Sequence, residues 1–290
     1  MYPNLIIGTA NFGSPYGFKK EIGAVSHHEL EKIRNSISKN TIKGLDTAID
    51  YNGSEEVIGQ VFNEISSLSI YTKLGTKIIK NPKTIESNLE NSLNKLKRQN
   101  LAGVLLRDFS TLEKKIRNDA IEVLSDLKCQ RKIAKLGITV YSLEELENSL
   151  NLYSNFDLIQ VPENIVDRRL VHSNLLNTVS KSGIEIHVRS LFLQGTLLAD
   201  FSAIPSRISS YFDFIKELKK LSKKLDRSIL QLCIDYGTQI EWGDALVIGV
   251  GSNQELIQIM QAFRNVEKID FSNFPKASHL VIDPRNWNKL

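Results

Sequence analysis

Short continuous apolar runs alternate along this chain with longer segments whose apolar residues return every three or four positions. Leu5-Ile6-Ile7, Val104-Leu105-Leu106 and Ala245-Leu246-Val247-Ile248 are continuous, not alternating, as strands buried on both faces are. Between such runs, Thr84 to about Lys97 carries Ile85, Leu89, Leu93 and Leu96 at helical spacing. Further strands are expected at Lys43–Thr47, Ser69–Lys73, Ala134–Thr139, Asp157–Val161 and Ile184–Leu193. Further helices are expected at His28–Lys39, Ser54 to about Ile65, Leu112–Lys128, Leu170–Lys181, Tyr211–Lys224, Ser228–Gly237 and Asn253–Arg264. Ser26 can cap the first of these. Ser142, with Glu145 three residues on, fits a capping box.

Strand and helix thus alternate about eight times. Apolar strands between amphipathic helices require a parallel sheet covered on both faces, and eight such units close into a barrel. The expectation is an α/β fold, a (β/α)8 TIM barrel spanning residues 1–290 as one domain, with a tail from about 265 to 290. In a barrel the reactive residues belong at the C-terminal ends of strands.

Composition narrows the classes. Of 290 residues, 41% are hydrophobic, and no Pro/Gly/Ser-rich linker divides them. The net charge of +4 comes from Lys and Arg interleaved with Glu and Asp, which reads as solvated helix faces. No basic-aromatic cluster argues for nucleic acid. No apolar run approaches the ~18 residues of a membrane span, and the N-terminus lacks a secretion signal. Cys129 and Cys233 form no metal motif, and the five histidines show no ligand spacing. A soluble cytoplasmic protein with a small-molecule partner and no metal is expected; the oligomeric state is not readable.

One stretch carries chemistry. Asp46 closes an apolar run, Tyr51 follows five residues later, Gly53-Ser54 opens a helix with early glutamates, and Lys73 ends the next strand. Carboxylate, phenol and ammonium at two successive strand ends suggest proton transfer. A tyrosine near pKa ~10 is drawn toward neutrality by a nearby ammonium, and a buried Asp would hold the Lys. The bland alternative is a surface tyrosine beside a solvated lysine.

Asp-Thr-Ala, a Tyr five residues after the Asp, Gly-Ser-Glu, and a strand ending Thr-Lys resemble the aldo-keto reductases, nearly along the whole chain. The resemblance implies NAD(P)H-dependent reduction of an aldehyde or ketone, with Asp46, Tyr51 and Lys73 catalytic. Arg107, in Leu105-Leu106-Arg107-Asp108-Phe109, stands where the family has a catalytic histidine. Its guanidinium is always charged. It can polarise a carbonyl, grip a carboxylate or phosphate, be tied up by Asp108, or point away.

The cofactor contacts implied by the resemblance are Thr9 and Ala10 in the first loop, Thr139 and Gln160 at the nicotinamide carboxamide, and Arg189 where relatives stack a tyrosine on the nicotinamide. Ser190 and Leu191 follow toward the pyrophosphate. Gly249, Gly251 and Ser252 bring backbone and a helix N-terminus to a phosphate. Val250 and Glu255 stand near the positions where NADP-preferring relatives are basic. Glu255 would repel a 2′-phosphate yet could bond a ribose hydroxyl, so NAD(H) should bind at least as well as NADP(H); Gln258 would meet the adenine. Asn164, Arg168 and Arg169 read as structural. The rim is expected from Asn11, Phe12, the Tyr51–Asn52 turn, Phe109 and the tail near Trp287, which either covers the site or packs beneath the barrel. The substrate is expected to be sugar-derived or anionic, since similar bacterial relatives are often associated with sugar and surface-polysaccharide metabolism. With Arg107 in place of histidine, double-bond reduction or sugar epimerisation or elimination are alternatives. A cofactor-binding protein without turnover is another, though it would not need the Asp46-Tyr51-Lys73 trio.

Overall fold

The apolar runs become eight parallel strands: β1 (Asn4–Gly8), β2 (Ile42–Asp46), β3 (Ser69–Leu74), β4 (Gly103–Arg107), β5 (Leu136–Thr139), β6 (Leu158–Pro162), β7 (Glu185–Arg189) and β8 (Ala245–Gly249). Each pairs with the next, and β8 pairs with β1 to close a barrel. The structure is a computed structural model that describes residues 3–17, 23–38, 42–200 and 213–289. The helices are α1 (His27–Ser38), α2 (Ser54–Val61), a short α3 (Thr76–Ile79), α4 (Ile85–Leu96), α5 (Lys114–Cys129), α6 (Leu143–Leu152), α7 (Asn174–Lys181), α8 (Phe214–Leu225), α9 (Ile229–Gly237), α10 (Asn253–Arg264) and a short α11 (His279–Ile282). No described helix is long and apolar enough to cross a membrane.

The continuous strands have two apolar faces because both are buried. Ile6, Tyr71, Leu105, Leu158, Ala245 and Val247 form one cluster, while their neighbours Ile7, Ile70, Val104, Leu106, Ile159, Leu246 and Ile248 join the larger cluster with the helices. Gly103 leaves room for an aromatic ring between strands: a β-carbon there would lie 2.9 Å from the ring of Tyr71. That ring meets His187 edge-on at 4.8 Å.

Serines set the helix starts. Ser142, Ser173, Ser228 and Ser252 each accept a hydrogen bond from the backbone N–H three residues on, satisfying one of the orphan donors of a helix N-terminus. Ser173 explains why α7 begins later than the apolar pattern from Leu170 suggested. The strand expected at Ile184–Leu193 ends at Arg189, because Ser190, Leu193 and Gln194 take positive φ angles (65°, 47° and 54°) that break a strand. Lys39 and Tyr211, the expected edges of two helices, lie outside the described residues.

The tail packs beside the mouth, not beneath the barrel. Arg168 donates to the carbonyl of Phe271 at 2.6 Å and to that of Phe274, so its structural role is visible. Farther on, Arg285 donates to Glu145 at 3.2 Å, and its guanidinium carbon lies 3.6 Å from the ring centre of Tyr141. Tyr141 and Glu145 follow the C-terminal end of β5. Trp287, expected near the rim, instead donates its indole N–H to Val281 at 2.8 Å and packs on the core.

At the opposite end of the barrel, burial raises the pKa of Glu185, but hydrogen bonds from His187 and Lys135 outweigh it and hold the carboxyl down at about 2. A depressed folded-state value stabilises the fold above the ordinary carboxylate range of about 4.3 and loses that contribution as pH falls toward the folded value. Glu185→Gln should therefore lower stability at neutral pH and flatten its acid dependence between about pH 4 and pH 2. Urea unfolding across pH measures this; an unchanged acid limb would contradict it.

Candidate active site

The end of β2 places Asp46, and β3 places Lys73 beside it. Both are buried, at 4% and 3% exposure. Lys73 Nζ donates to Asp46 Oδ1 and, at 3.0 Å, to the carbonyl of Thr47. Asp46 Oδ2 accepts from Gln160 Nε2 at 2.8 Å. Burying either charge alone costs several kcal/mol; pairing plus added hydrogen bonds makes the arrangement tolerable. Burial pulls the Lys73 pKa down, against the pull of Asp46.

The turn carrying Tyr51 is fixed by close backbone packing. Ser54 donates to Thr9 and shares hydrogen bonds with the hydroxyls of Thr9 and Thr47, and Gly53 takes a φ of 74°. A β-carbon on Gly13 would lie 2.1 Å from the Asn52 carbonyl, so only glycine lets the β1 loop press on this turn. Tyr51 is half-buried there. Lys73 Nζ lies 5.5 Å from its ring centre and the Arg107 guanidinium carbon 5.4 Å.

The phenol differs from expectation. Burial first, and then the Asp46 carboxylate, push the Tyr51 pKa up to about 12, with Arg107 and Arg189 pulling it back. The net shift is upward, opposite to the fall toward neutrality expected from a nearby ammonium. At neutral pH Tyr51 therefore carries its proton.

Arg107 ends β4 and faces the same space. Its Nη1 donates to Asp50 Oδ2 at 2.7 Å. Asp108 does not tie it up; that carboxylate accepts from Thr76 at 2.7 Å. Arg189 sits over Tyr141, its guanidinium carbon 4.2 Å from the ring centre. It donates to Val140 O at 3.1 Å and Ser190 Oγ at 3.2 Å, and more weakly to Thr139 Oγ1 at 3.4 Å. The aromatic partner of Arg189 within the protein is thus Tyr141, a residue the sequence did not single out.

These groups line one cleft of about 900 Å³ at the C-terminal end of the barrel, near the upper end of the size range of ligand pockets. Thr9, Ala10, Asp46, Tyr51, Lys73, Arg107, Thr139, Gln160, Arg189, Ser190, Leu191, Gly249, Gly251, Ser252, Glu255 and Gln258 all border it. Asn11 does too, donating to the Val250 carbonyl at 2.8 Å. Phe12 and Phe109 do not: each is 2% exposed, Phe12 stacked on Phe62 and Phe109 edge-on to Phe156. Their apolar rings gain more from the core than from the rim. Tyr16, Tyr141, Phe192 and Leu230 take up the wall instead. All four lie in loops or at helix starts, where periodicity carries no signal.

Two further details bear on a ligand. Gln160 Oε1 is buried without a hydrogen-bond partner, an acceptor that binding could satisfy. At the far end, Glu255 Oε2 accepts from Gly251 N at 2.6 Å, and Glu29 Oε2, from α1, accepts from Asn253 N at 3.0 Å. Two carboxylates thus hold backbone N–H groups at the start of α10, where a helix favours anions.

The closed (β/α)8 barrel brings an acid, a phenol and a lysine to one mouth, and comparison with known proteins gives the class. The sequence pattern of the aldo/keto reductase family matches residues 4–277. Among solved structures, an aldo-keto reductase of Bacillus halodurans in its holo form superposes with a TM-score of 0.75 at 18% identity, covering 95% of this chain and 93% of that one. An aldo/keto reductase of Klebsiella pneumoniae in complex with NADP and acetate gives 0.67 at 18% identity, covering 92% and 87%. No curated protein sequence matches. The chain belongs to the aldo/keto reductase family, whose members are NAD(P)-dependent oxidoreductases.

The buried pair predicts a large stability effect. Lys73→Met leaves Asp46 charged, buried and unpaired, and should destabilise the protein by about 3–5 kcal/mol. Lys73→Met with Asp46→Asn should cost clearly less than the sum of the two single changes. Denaturant melts of the three variants measure both; additive losses would contradict the coupling.

Proposed function

We propose that this protein uses NAD(P)H to reduce an aldehyde or ketone to an alcohol, with Tyr51 giving the proton to the carbonyl oxygen. One observation carries the reading: the phenol of Tyr51 lines the cleft with Lys73 Nζ 5.5 Å and the Arg107 guanidinium carbon 5.4 Å from its ring centre, and burial favours its protonated form. A general acid must hold its proton at working pH, and Tyr51 does. When bound, the reduced nicotinamide supplies the hydride. Gln160 lines the cleft, and its buried Oε1 has no hydrogen-bond partner, so it is suited to accept from a carboxamide NH2. Arg189, Ser190 and Leu191 line the same cleft as Gly249–Ser252 and Gln258, where the rest of a dinucleotide would lie. Arg107 polarises the carbonyl oxygen and stabilises charge developing on it.

The two carboxylates at the start of α10 favour NADH. Glu29 and Glu255 already occupy backbone donors there, and both repel the dianionic 2′-phosphate of NADPH. The free thiols of Cys129 and Cys233 suit a reducing compartment, and we place the enzyme in the cytoplasm, acting on a sugar-derived or anionic carbonyl compound. The substitution at Arg107 keeps a second reading in view, in which the same cofactor serves double-bond reduction or a sugar epimerisation or elimination.

Two outcomes are expected. NADH should bind more tightly than NADPH by about tenfold, a difference of roughly 1.4 kcal/mol, and Glu255→Lys should narrow the gap; titrations of protein fluorescence measure both, and a strong NADPH preference would contradict the assignment. Carbonyl-dependent oxidation of NADH should fall by about 100-fold or more in Tyr51→Phe, with cofactor affinity within a few-fold of the parent. Turnover indifferent to Tyr51→Phe would remove the phenol from the mechanism. A sharp rise of carbonyl reduction in Arg107→His would favour the second reading.

A further inference from the structure

Arg107 is anchored on one side only. Its Nη1 bonds Asp50 Oδ2 at 2.7 Å, and its guanidinium makes no other hydrogen bond among the described residues. A guanidinium has five donors, and its Nε–Nη2 edge matches the two oxygens of a carboxylate. The same edge is filled elsewhere in this protein: Arg169 grips Asp167 through Nε and Nη2 at 2.7 and 2.9 Å, and Arg227 grips Asp235 through the same pair at 2.7 and 2.9 Å. At Arg107 that edge makes no hydrogen bond among the described residues, and the side chain lines the cleft with its guanidinium carbon 5.4 Å from the ring centre of Tyr51.

Lys73 is matched by Asp46, both buried. Arg189 hydrogen-bonds neutral oxygens, those of Thr139, Ser190 and Val140, and feels the carboxylate of Asp167. Arg107 is matched only in part, by Asp50, whose side chain is 48% exposed and so is screened by water. Beside the proton donor, Arg107 is thus the cation with donors to spare, and its fork geometry selects a planar anion.

We propose that the substrate carries a carboxylate bonded directly to its carbonyl carbon, gripped by the Nε–Nη2 edge of Arg107 while Tyr51 meets the carbonyl oxygen. This inference rests on the reductase reading and names its substrate class. Groups on adjacent carbons place carboxylate and carbonyl close enough to reach Arg107 and Tyr51 together. Asp50 is the positioning residue: it fixes the guanidinium beside the phenol and leaves the second edge free. The carbonyl carbon gains hydride from the reduced nicotinamide, which is oxidised, and the oxygen gains the Tyr51 proton. A 2-oxo acid then leaves as a 2-hydroxy acid with its carboxylate unchanged, and water returns a proton to Tyr51.

The test uses the full chain and matched probes. N-phenyloxamate, a carboxylate that hydride cannot reduce, is titrated against its neutral partner N-phenyloxamide by calorimetry with NADH present. Rates with phenylglyoxylate are compared with those of its methyl ester. The acid should be preferred in binding and in kcat/KM by at least about tenfold. Arg107→Gln should abolish both preferences, and Arg107→Lys, which keeps the charge without the fork, should restore only part. Equal treatment of acid and neutral partner, a preference surviving Arg107→Gln, or a higher kcat/KM for glycolaldehyde phosphate than for phenylglyoxylate would overturn the assignment. Benzaldehyde separates the two failures. Benzaldehyde turnover lost in Tyr51→Phe, with no acid preference, defeats the carboxylate clamp alone. No Tyr51-dependent turnover of any carbonyl defeats the reductase reading, and the binding of phenyloxamate then decides the clamp by itself.

Discussion

The ion pair between Asp46 and Lys73 is the constraint from which the rest of the site follows. Two charges placed inside an apolar barrel are costly unless every lone pair and proton is met. Here the carboxylate takes Lys73 and Gln160, and the ammonium takes Asp46 and the Thr47 carbonyl. Those bonds tie the ends of β2, β3 and β6 across the barrel mouth. Beside this pair, the phenol of Tyr51 answers to burial and Asp46 on one side and to two arginines on the other.

That division of labour gives Arg107 and Arg189 a larger part than their positions alone suggest. They are the cations that favour phenolate, and they also shape the wall where a substrate meets Tyr51. Both are steadied by neighbours: Arg107 by Asp50, Arg189 by the Tyr141 ring and three neutral oxygens. Tyr141 in turn meets Arg285 from the tail, which couples the wall of the cleft to the last described segment of the chain. Rigid neighbours of this kind reduce the ordering cost of binding.

Much of this was legible in the sequence, for reasons that differ by residue. Continuous apolar runs reveal strands buried on both sides, so the barrel and the strand β8 could be read directly. Asp46, Lys73 and Arg107 interrupt or end such runs, and the barrel rule puts strand ends at the mouth. Strand and helix limits were less visible where backbone conformation decides them, as at Ser190 and Ser173. Asp50, Tyr16 and Tyr141 carry no periodic signal because they lie in loops whose course depends on tertiary packing. Phe12 and Phe109 were misplaced for the converse reason: beside a strand end, an aromatic residue can face the rim or the core, and only packing chooses. The acidity of Tyr51 needed burial and partner choice together, which spacing does not encode.

A crystal structure of the protein with NADH bound is the most direct test of the central claim. The account predicts the carboxamide against Gln160 Oε1, C4 of the nicotinamide facing the space in front of the Tyr51 hydroxyl, and the Lys73–Asp46 pair intact behind it. A nicotinamide lodged away from Tyr51, or a phenol turned out of the cleft with the cofactor in place, would contradict it.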